Sequence, residues 1–330
     1  MYNIPKGEFM ALFEQLKNIP KVDLHINMTS SISTNLAFDL TQENSIIDVE
    51  EKMRERNSFD YLDSLKLPIK ILKSQKNIEL ATNDLIDRLI SNNVIYGELF
   101  LDINLYNNKI DLEKTINIIL KVIENRKYHL ELVLCVSSKN SRDENLSILE
   151  IFEKYYHKGV NGIYFYKEKM DYLNDYRYLF DRMIKNKYPY IINLNSMITN
   201  QDYDIYMNAK RLIYSLNFID EKILNDCKLN NIMLEFSLTR LKENNIITNY
   251  KDYFIYDLIN SNYLLALVSS DMTTLNTDIL NEICILFNNY PVNIHDLIKV
   301  IINNITNIDI DDLKKNELMN EFKEKSNLVL

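Results

Sequence analysis

Residues Ile19 to Asn27 read Ile-Pro-Lys-Val-Asp-Leu-His-Ile-Asn, a short apolar run behind a proline with the pattern of a buried strand. Side chains two residues apart on a strand share a face, so His25 and Asn27 point to the same side. Two imidazoles at that spacing would grip one metal ion and set up metal-assisted hydrolysis. Asn27 breaks the pair, because an amide nitrogen is no metal ligand and an amide oxygen is a poor one for zinc. A catalytic zinc needs three protein ligands and one open position. The remaining histidines, His129, His157 and His295, fall at a strand start, before a strand and on a C-terminal helix. His25 and Asp271 could supply two ligands. Cys135 is a third in principle, although an isolated cysteine at a strand end is more often a small buried hydrophobe. No metal and no other cofactor is expected.

Such residues need a scaffold that gathers strand ends. Strand candidates recur at Val22–Ile26, Val94–Ile103, Leu130–Val136, Gly162–Tyr166, Tyr190–Leu194, Arg211–Tyr214, Ile232–Phe236 and Leu264–Ser269, most followed by a helical stretch. Eight strand–helix units predict an α/β fold, a (β/α)8 TIM barrel, as one domain over residues 1–330. A helix over Glu8–Asn18, with Phe9, Leu12, Phe13 and Leu16 on one face, precedes the first strand. About seventy residues separate the first two strands, too many for a loop. Thr34–Leu40, Ile46–Arg56 and Phe59–Leu72 read as helices of an insertion over the barrel mouth, spanning residues 34–77, and Ile78–Asn92 as the barrel helix. Extra helices close the C-terminus. Asn293 with Asp296 reads as the cap of Leu297–Asn304, and Asp311 as the cap of a last helix that buries Leu313, Leu318 and Phe322.

A barrel keeps its site at the C-terminal ends of its strands. Those ends carry His25 and Asn27; Asp102 and Asn104; Cys135, Ser137 and Ser138; Tyr164 and Tyr166, then Lys167 and Glu168; Asn193, Asn195 and Ser196; Tyr214 and Ser215; Glu235 and Ser237; and Ser269, Ser270 and Asp271. Asp102 and Glu235 are carboxylates that could act together. Plainer readings stand beside these. His25 can be a core histidine bonded to a neighbour, Asp271 a helix cap, and Tyr164 and Tyr166 packing residues. Asn193 and Asn195 can reflect an AT-rich genome. Glu98 is expected in a structural ion pair or hydrogen bond.

Composition removes several function classes. A net charge of −9 argues against nucleic acid and anionic membrane surfaces as partners. Four glycines leave no Gly-rich phosphate loop, which excludes nucleotide binding by that route. No stretch of 18 uncharged apolar residues occurs, and the polar N-terminus does not read as a secretory signal. Three separated cysteines fit free thiols, so a cytoplasmic location is expected.

Pro20 to His25 resembles the first-strand motif of the adenosine and AMP deaminase family, zinc-dependent barrels of the amidohydrolase superfamily. Asn27 stands where that family has its second histidine, and Thr29-Ser30 where it has Asp-Gly. Val94-Ile95-Tyr96-Gly97-Glu98-Leu99 is similar to its second strand and Gly159 to Ile163 to its fourth; the resemblance runs from Ile19 to about Lys325. The family's fifth strand ends in His-Ala-Gly-Glu, a metal histidine and a proton-shuttling glutamate, where this chain has Asn193-Leu194-Asn195-Ser196. Its sixth strand keeps Arg211 but has Tyr214 in place of the histidine that positions the attacking water. In the eighth, Asp271 matches the metal-binding aspartate and Met272 replaces a second aspartate.

The resemblance thus implies a barrel in which no catalytic residue is intact, with Ser196 and Tyr214 in the catalytic positions. His25 and Asp271 are remnant metal ligands. Its binding residues are His25, Asn27, Thr29, Ser30, Asp102, Asn193, Asn195, Asp271 and Met272. Hydrolytic deamination needs a metal-activated hydroxide, an acid/base and a group that orients the water, and the replacements touch all three. The expectation is a catalytically inactive deaminase-like protein that keeps a binding or regulatory role. One alternative is an active purine nucleoside deaminase or hydrolase with a rebuilt metal site, the one reading under which zinc would be a cofactor. Another is a non-catalytic partner of an active paralogue. The partners that fit are a purine nucleoside or other small molecule, and a second copy or a paralogue.

Overall fold

The computed structural model describes residues 6–55, 61–102, 111–167, 172–218 and 220–326. Its strands are β1 (Lys21–Asn27), β2 (Val94–Leu101), β3 (Leu130–Ser137), β4 (Val160–Tyr166), β5 (Tyr190–Leu194), β6 (Arg211–Tyr214), β7 (Met233–Phe236) and β8 (Leu265–Leu267). They pair in parallel in sequence order. The ring closes just beyond β8: Ser270 N–H donates to the His25 carbonyl and Asn27 N–H to the Ser270 carbonyl, both at 2.8 Å. With helices between the strands, this is the (β/α)8 barrel. Helices cover the outer faces, so β2 and β3 are buried at every position and their sequences run apolar without alternation. Ile103, in the second strand candidate, lies outside the described residues, as do Asn104 and Glu168. Among the described residues no helix is long and apolar enough to cross a membrane.

A helix over Lys6–Asn18 precedes the barrel. Between β1 and β2 lie helices Thr34–Asp39, Ile46–Met53, Tyr61–Ser64 and Lys66–Ile71, then the barrel helix Gln75–Ser91. The single helix expected over Phe59–Leu72 is two pieces, with Phe59 and Arg56 outside the described residues. Pro68 explains the break: it has no N–H to give and its ring clashes one turn back, so it is tolerated only in the first turn of the second piece.

Local signals set the helix ends. Asn293 accepts from the N–H groups of His295 and Asp296, and Asp296 accepts from Asn293 N–H, which starts helix Ile294–Asn307. Asp311 accepts from Lys314 N–H at 2.9 Å, ahead of helix Asp312–Ser326. That helix buries Leu318 and Phe322, but Leu313 is 70% exposed. The correction is geometric: five residues before Leu318 is about 140° around the helix from it. Asparagines do the work glycine usually does. Asn93, Asn231, Asn245 and Asn262 hold positive φ one residue past a helix C-cap.

Candidate functional site

A chain of buried charges crosses the barrel interior. Side chains alternate along a strand, so His25 on β1, Glu98 on β2, Arg211 on β6 and Glu235 on β7 meet inside the ring. His25 Nδ1 lies 3.0 Å from Glu235 Oε2; a carboxylate oxygen needs a donor, so Nδ1 carries the proton. Arg211 Nε is 2.7 Å from Glu235 Oε1, an ion pair without a hydrogen bond's alignment. Its Nη2 donates to Glu98 Oε2. Glu98 Oε1 also accepts from Tyr96 Oη and Asn161 Nδ2, both at 3.1 Å. The expected ion pair of Glu98 is therefore to Arg211. The His25 ring lies flat on Phe100, with centroids 3.6 Å apart and planes within 6°, and meets Tyr164 edge-on.

Above this relay, Asp271 takes five donors among the described residues. Oδ1 accepts from Asn27 Nδ2 at 2.8 Å, from Ser30 Oγ and from Tyr61 Oη at 3.3 Å. Oδ2 accepts from Ser270 Oγ at 2.9 Å and from Arg240 Nη2. Arg240 Nη1 also donates to Glu55 Oε2 at 2.6 Å, and the guanidinium lies 5.1 Å from the Tyr61 ring centroid. Burial alone would raise the Asp271 pKa. The Arg240 charge and the bonds from Ser30, Arg240 and Asn27 outweigh it and hold the carboxyl down at about 2.

Across the mouth the rim is neutral amides and hydroxyls around one lysine. Lys167, just past β4 and buried, donates from Nζ to Ser196 Oγ at 3.1 Å. Asn193 does not line the opening: its amide bridges the Lys167 backbone, accepting from N–H at 3.3 Å and donating to the carbonyl at 3.5 Å. Asn195 Oδ1 and Thr199 Oγ1 are buried without a hydrogen-bond partner among the described residues.

No family model matches the chain. An adenosine deaminase of Clostridium kluyveri is 22% identical over 345 residues, covering 97% of this chain and 98% of its own length. The chain is thus similar to adenosine deaminases over nearly its whole length, in line with the resemblance that Pro20 to His25 implied. Solved structures share the barrel. Arabidopsis ADAL complexed with IMP matches with a TM-score of 0.82 at 16% identity, over 95% of this chain and 99% of its own. An adenine deaminase from Arthrobacter aurescens matches with a TM-score of 0.81 at 14% identity, over 94% and 100%.

Measured against a family of zinc enzymes, the residues present do not fit a catalytic zinc. His25, with Nδ1 on Glu235, keeps Nε2 as one imidazole donor, but Asn27 donates to the carboxylate beside it and a guanidinium lies on Asp271. Among the described residues, no three His, Cys, Asp or Glu side chains are grouped so that they could hold a metal ion. Cys135 sits in an apolar cluster with Phe100, Val133 and Ile191; burial first, then the Asp102 charge, push its thiol well up. It is neither thiolate ligand nor nucleophile.

Two members of the deaminase family's positions fall elsewhere. Tyr214 is a correction: its hydroxyl donates to the Phe218 carbonyl and its ring packs on Phe236 and Phe254, outside the barrel wall. Arg211 and Ile213 face inward, so period-two alternation turns Tyr214 out. Met272 is also removed from His25 and lines an outer cleft with Arg54 and Arg88. Asp102 lies half-buried at the end of β2, and Thr29 is buried on the turn Thr29–Ser31. Glu235 pairs with His25 and Arg211. Sequence reasoning missed Arg240, Glu55 and Tyr61. Arg240 left no local sign, since both of its carboxylate partners lie far from it in the sequence.

Proposed function

We propose that this protein is a deaminase-family barrel that has given up zinc-dependent deamination and binds a purine-type small molecule at the barrel mouth. One observation carries the first half: Asp271, the carboxylate a metal would need, is saturated by five donors, one of them a guanidinium. Without a bound metal, water keeps its high pKa and supplies no hydroxide at neutral pH. Ser196 cannot shuttle protons as a glutamate does, and Tyr214 reaches no water at the mouth. The second half is supported by the relatives, which are named for adenosine, adenine and IMP, and by the unpartnered oxygens of Asn195 and Thr199. Those atoms can accept from or pair with a ligand's amino, imino or hydroxyl groups.

The test uses protein purified without chelator from zinc-supplemented cells. Metal content is measured, ammonia release is followed with adenosine, adenine and AMP, and binding of the same compounds and of inosine is titrated calorimetrically. Expected are far less than one zinc per chain, no ammonia above buffer and saturable binding of at least one purine. One zinc per chain, or turnover that His25→Ala abolishes, overturns the inactive reading. Absence of binding across the panel overturns the purine assignment.

A further inference from the structure

Arg240 occupies a position that calls for a cation whatever the relatives do. Two buried carboxylates converge on it from separate parts of the chain, Asp271 from the loop after β8 and Glu55 from the insertion. The backbone there is tied as well, since Glu55 N–H donates to the Thr274 carbonyl at 2.8 Å. One guanidinium against two carboxylates leaves the cluster short of positive charge. Glu55 is only 4% exposed, yet its Oε1 has no hydrogen-bond partner among the described residues, and neither has Thr274 Oγ1 beside it. Buried charges persist only when paired, so both the guanidinium and the unpaired oxygen mark a cation-seeking site.

Arg240 is carried on the short helix Leu238–Glu243. The start of that helix is held by the Glu282 carboxylate, which accepts from Leu238 N–H at 2.6 Å, and by Ser237, which caps Arg240 N–H.

We propose that Arg240 is a tethered cation that does for Asp271 and Glu55 what a divalent metal would do. It straps the insertion to the rim and closes both carboxylates to external ions. Removing the guanidinium opens a divalent-cation site between them. This deepens the zinc-free reading and rests on it. The donors that remain are oxygens of Asp271, Glu55, Ser30, Ser270 and Tyr61, a hard set that suits Mn²⁺ better than zinc.

The experiment compares the full-length wild type, Arg240→Ala and Arg240→Ala/Asp271→Asn, each stripped with chelator and titrated with MnCl2. Free Mn²⁺ is read by electron paramagnetic resonance, and stability by thermal unfolding. Wild type is expected to bind no Mn²⁺ at millimolar concentration. Arg240→Ala should melt several degrees lower without metal, bind Mn²⁺ at least ~10-fold more tightly than wild type, and recover much of the lost melting temperature when saturated. Asp271→Asn in the same chain should abolish both effects. Guanidinium ion at ~10 mM should stabilise Arg240→Ala and not the wild type, the reverse of its usual action. If Arg240→Ala does not fold, refolding with and without Mn²⁺ replaces the titration, and recovery in neither condition overturns the proposal. A folded Arg240→Ala that binds no Mn²⁺ overturns it too. One zinc on the wild type would instead sink the zinc-free reading, so the two failures are distinguishable.

Discussion

The two halves of the barrel rim are built from different polar groups. Beside β7, β8 and the insertion, Asp271 and Arg240 are charged and the Asp271 oxygens are filled, while Glu55 Oε1 and Thr274 Oγ1 lack partners among the described residues. Beside β4 and β5 the groups are amides and hydroxyls around Lys167, and two buried oxygens have no partner among the described residues. A saturated carboxylate holds its surroundings in one arrangement and has nothing left to offer a ligand. An unpartnered buried oxygen costs stability and keeps a hydrogen bond to offer a donor that reaches it. On the proposed function, the Asp271 side is structural and the side facing it is where recognition would occur.

Both halves stand on the relay beneath them, so the largest effect should come from Arg211→Met. It strands Glu98 and Glu235 in the barrel interior with no guanidinium between them. Breaking a buried ion pair by removing one partner costs about 3–5 kcal/mol, and urea unfolding at neutral pH should show a loss of that size. A midpoint like that of the wild type would mean that the interior carboxylates are carried neutral, and the contrast drawn between the halves would lose its foundation.

The next test strikes the two halves directly. Asp271→Asn keeps the shape but removes the charge that Arg240 and four other donors address, and should cost about 2–3 kcal/mol. Ser196→Ala, beside Lys167 on the other half, should stay within ~0.5 kcal/mol of wild type. Equal losses would erase the distinction between a structural and a recognition half.

The carboxylates also differ in how they answer pH. Burial, opposed by hydrogen bonds from Ser269, pushes Asp23 up to about 7, and burial, opposed by bonds from Thr239 and Thr277, does the same for Glu282. Each binds its proton more tightly folded than unfolded, so its contribution is complete below about pH 4 and fades as pH rises to about 7. Asp271, held near 2, works in the other direction: its contribution is present above about pH 4 and is lost as pH falls toward 2. Urea midpoints should therefore decline between pH 5 and 7 and drop again below pH 4. Glu282→Gln should flatten the first slope and Asp271→Asn the second.

The barrel was legible because strands buried on both faces read as apolar runs, and Tyr190–Leu194 and Arg211–Tyr214 begin and end where their runs do. His25 and Asp271 could be placed at the mouth from strand ends alone. What they touch could not. Arg240 lies 31 residues before Asp271 and 185 after Glu55, and no periodicity joins them. Tyr214 aligns with the family's histidine by motif, but the period of two from the inward-facing Arg211 and Ile213 turns it outward. The asparagines looked like a compositional bias; four of them are backbone devices that take left-handed φ after helices in a chain with few glycines. Leu313 failed for want of a count around the helix.

The smallest expected effect is the most specific. Asn195→Ala removes a buried carboxamide oxygen that has no partner among the described residues, so it should change stability by no more than ~0.5 kcal/mol and in the favourable direction. A ligand that supplies the missing donor would feel the change instead. Losing one neutral hydrogen bond costs ~0.5–1.5 kcal/mol, which is a weakening of about 2- to 13-fold for any purine that the wild type binds. Thr199→Val should act in the same sense, and Asn27→Ala, whose amide already serves Asp271, should leave ligand affinity alone while lowering stability. If Asn27→Ala weakens binding and Asn195→Ala does not, the ligand sits over the saturated half, and the roles assigned to the two sides of the rim are exchanged.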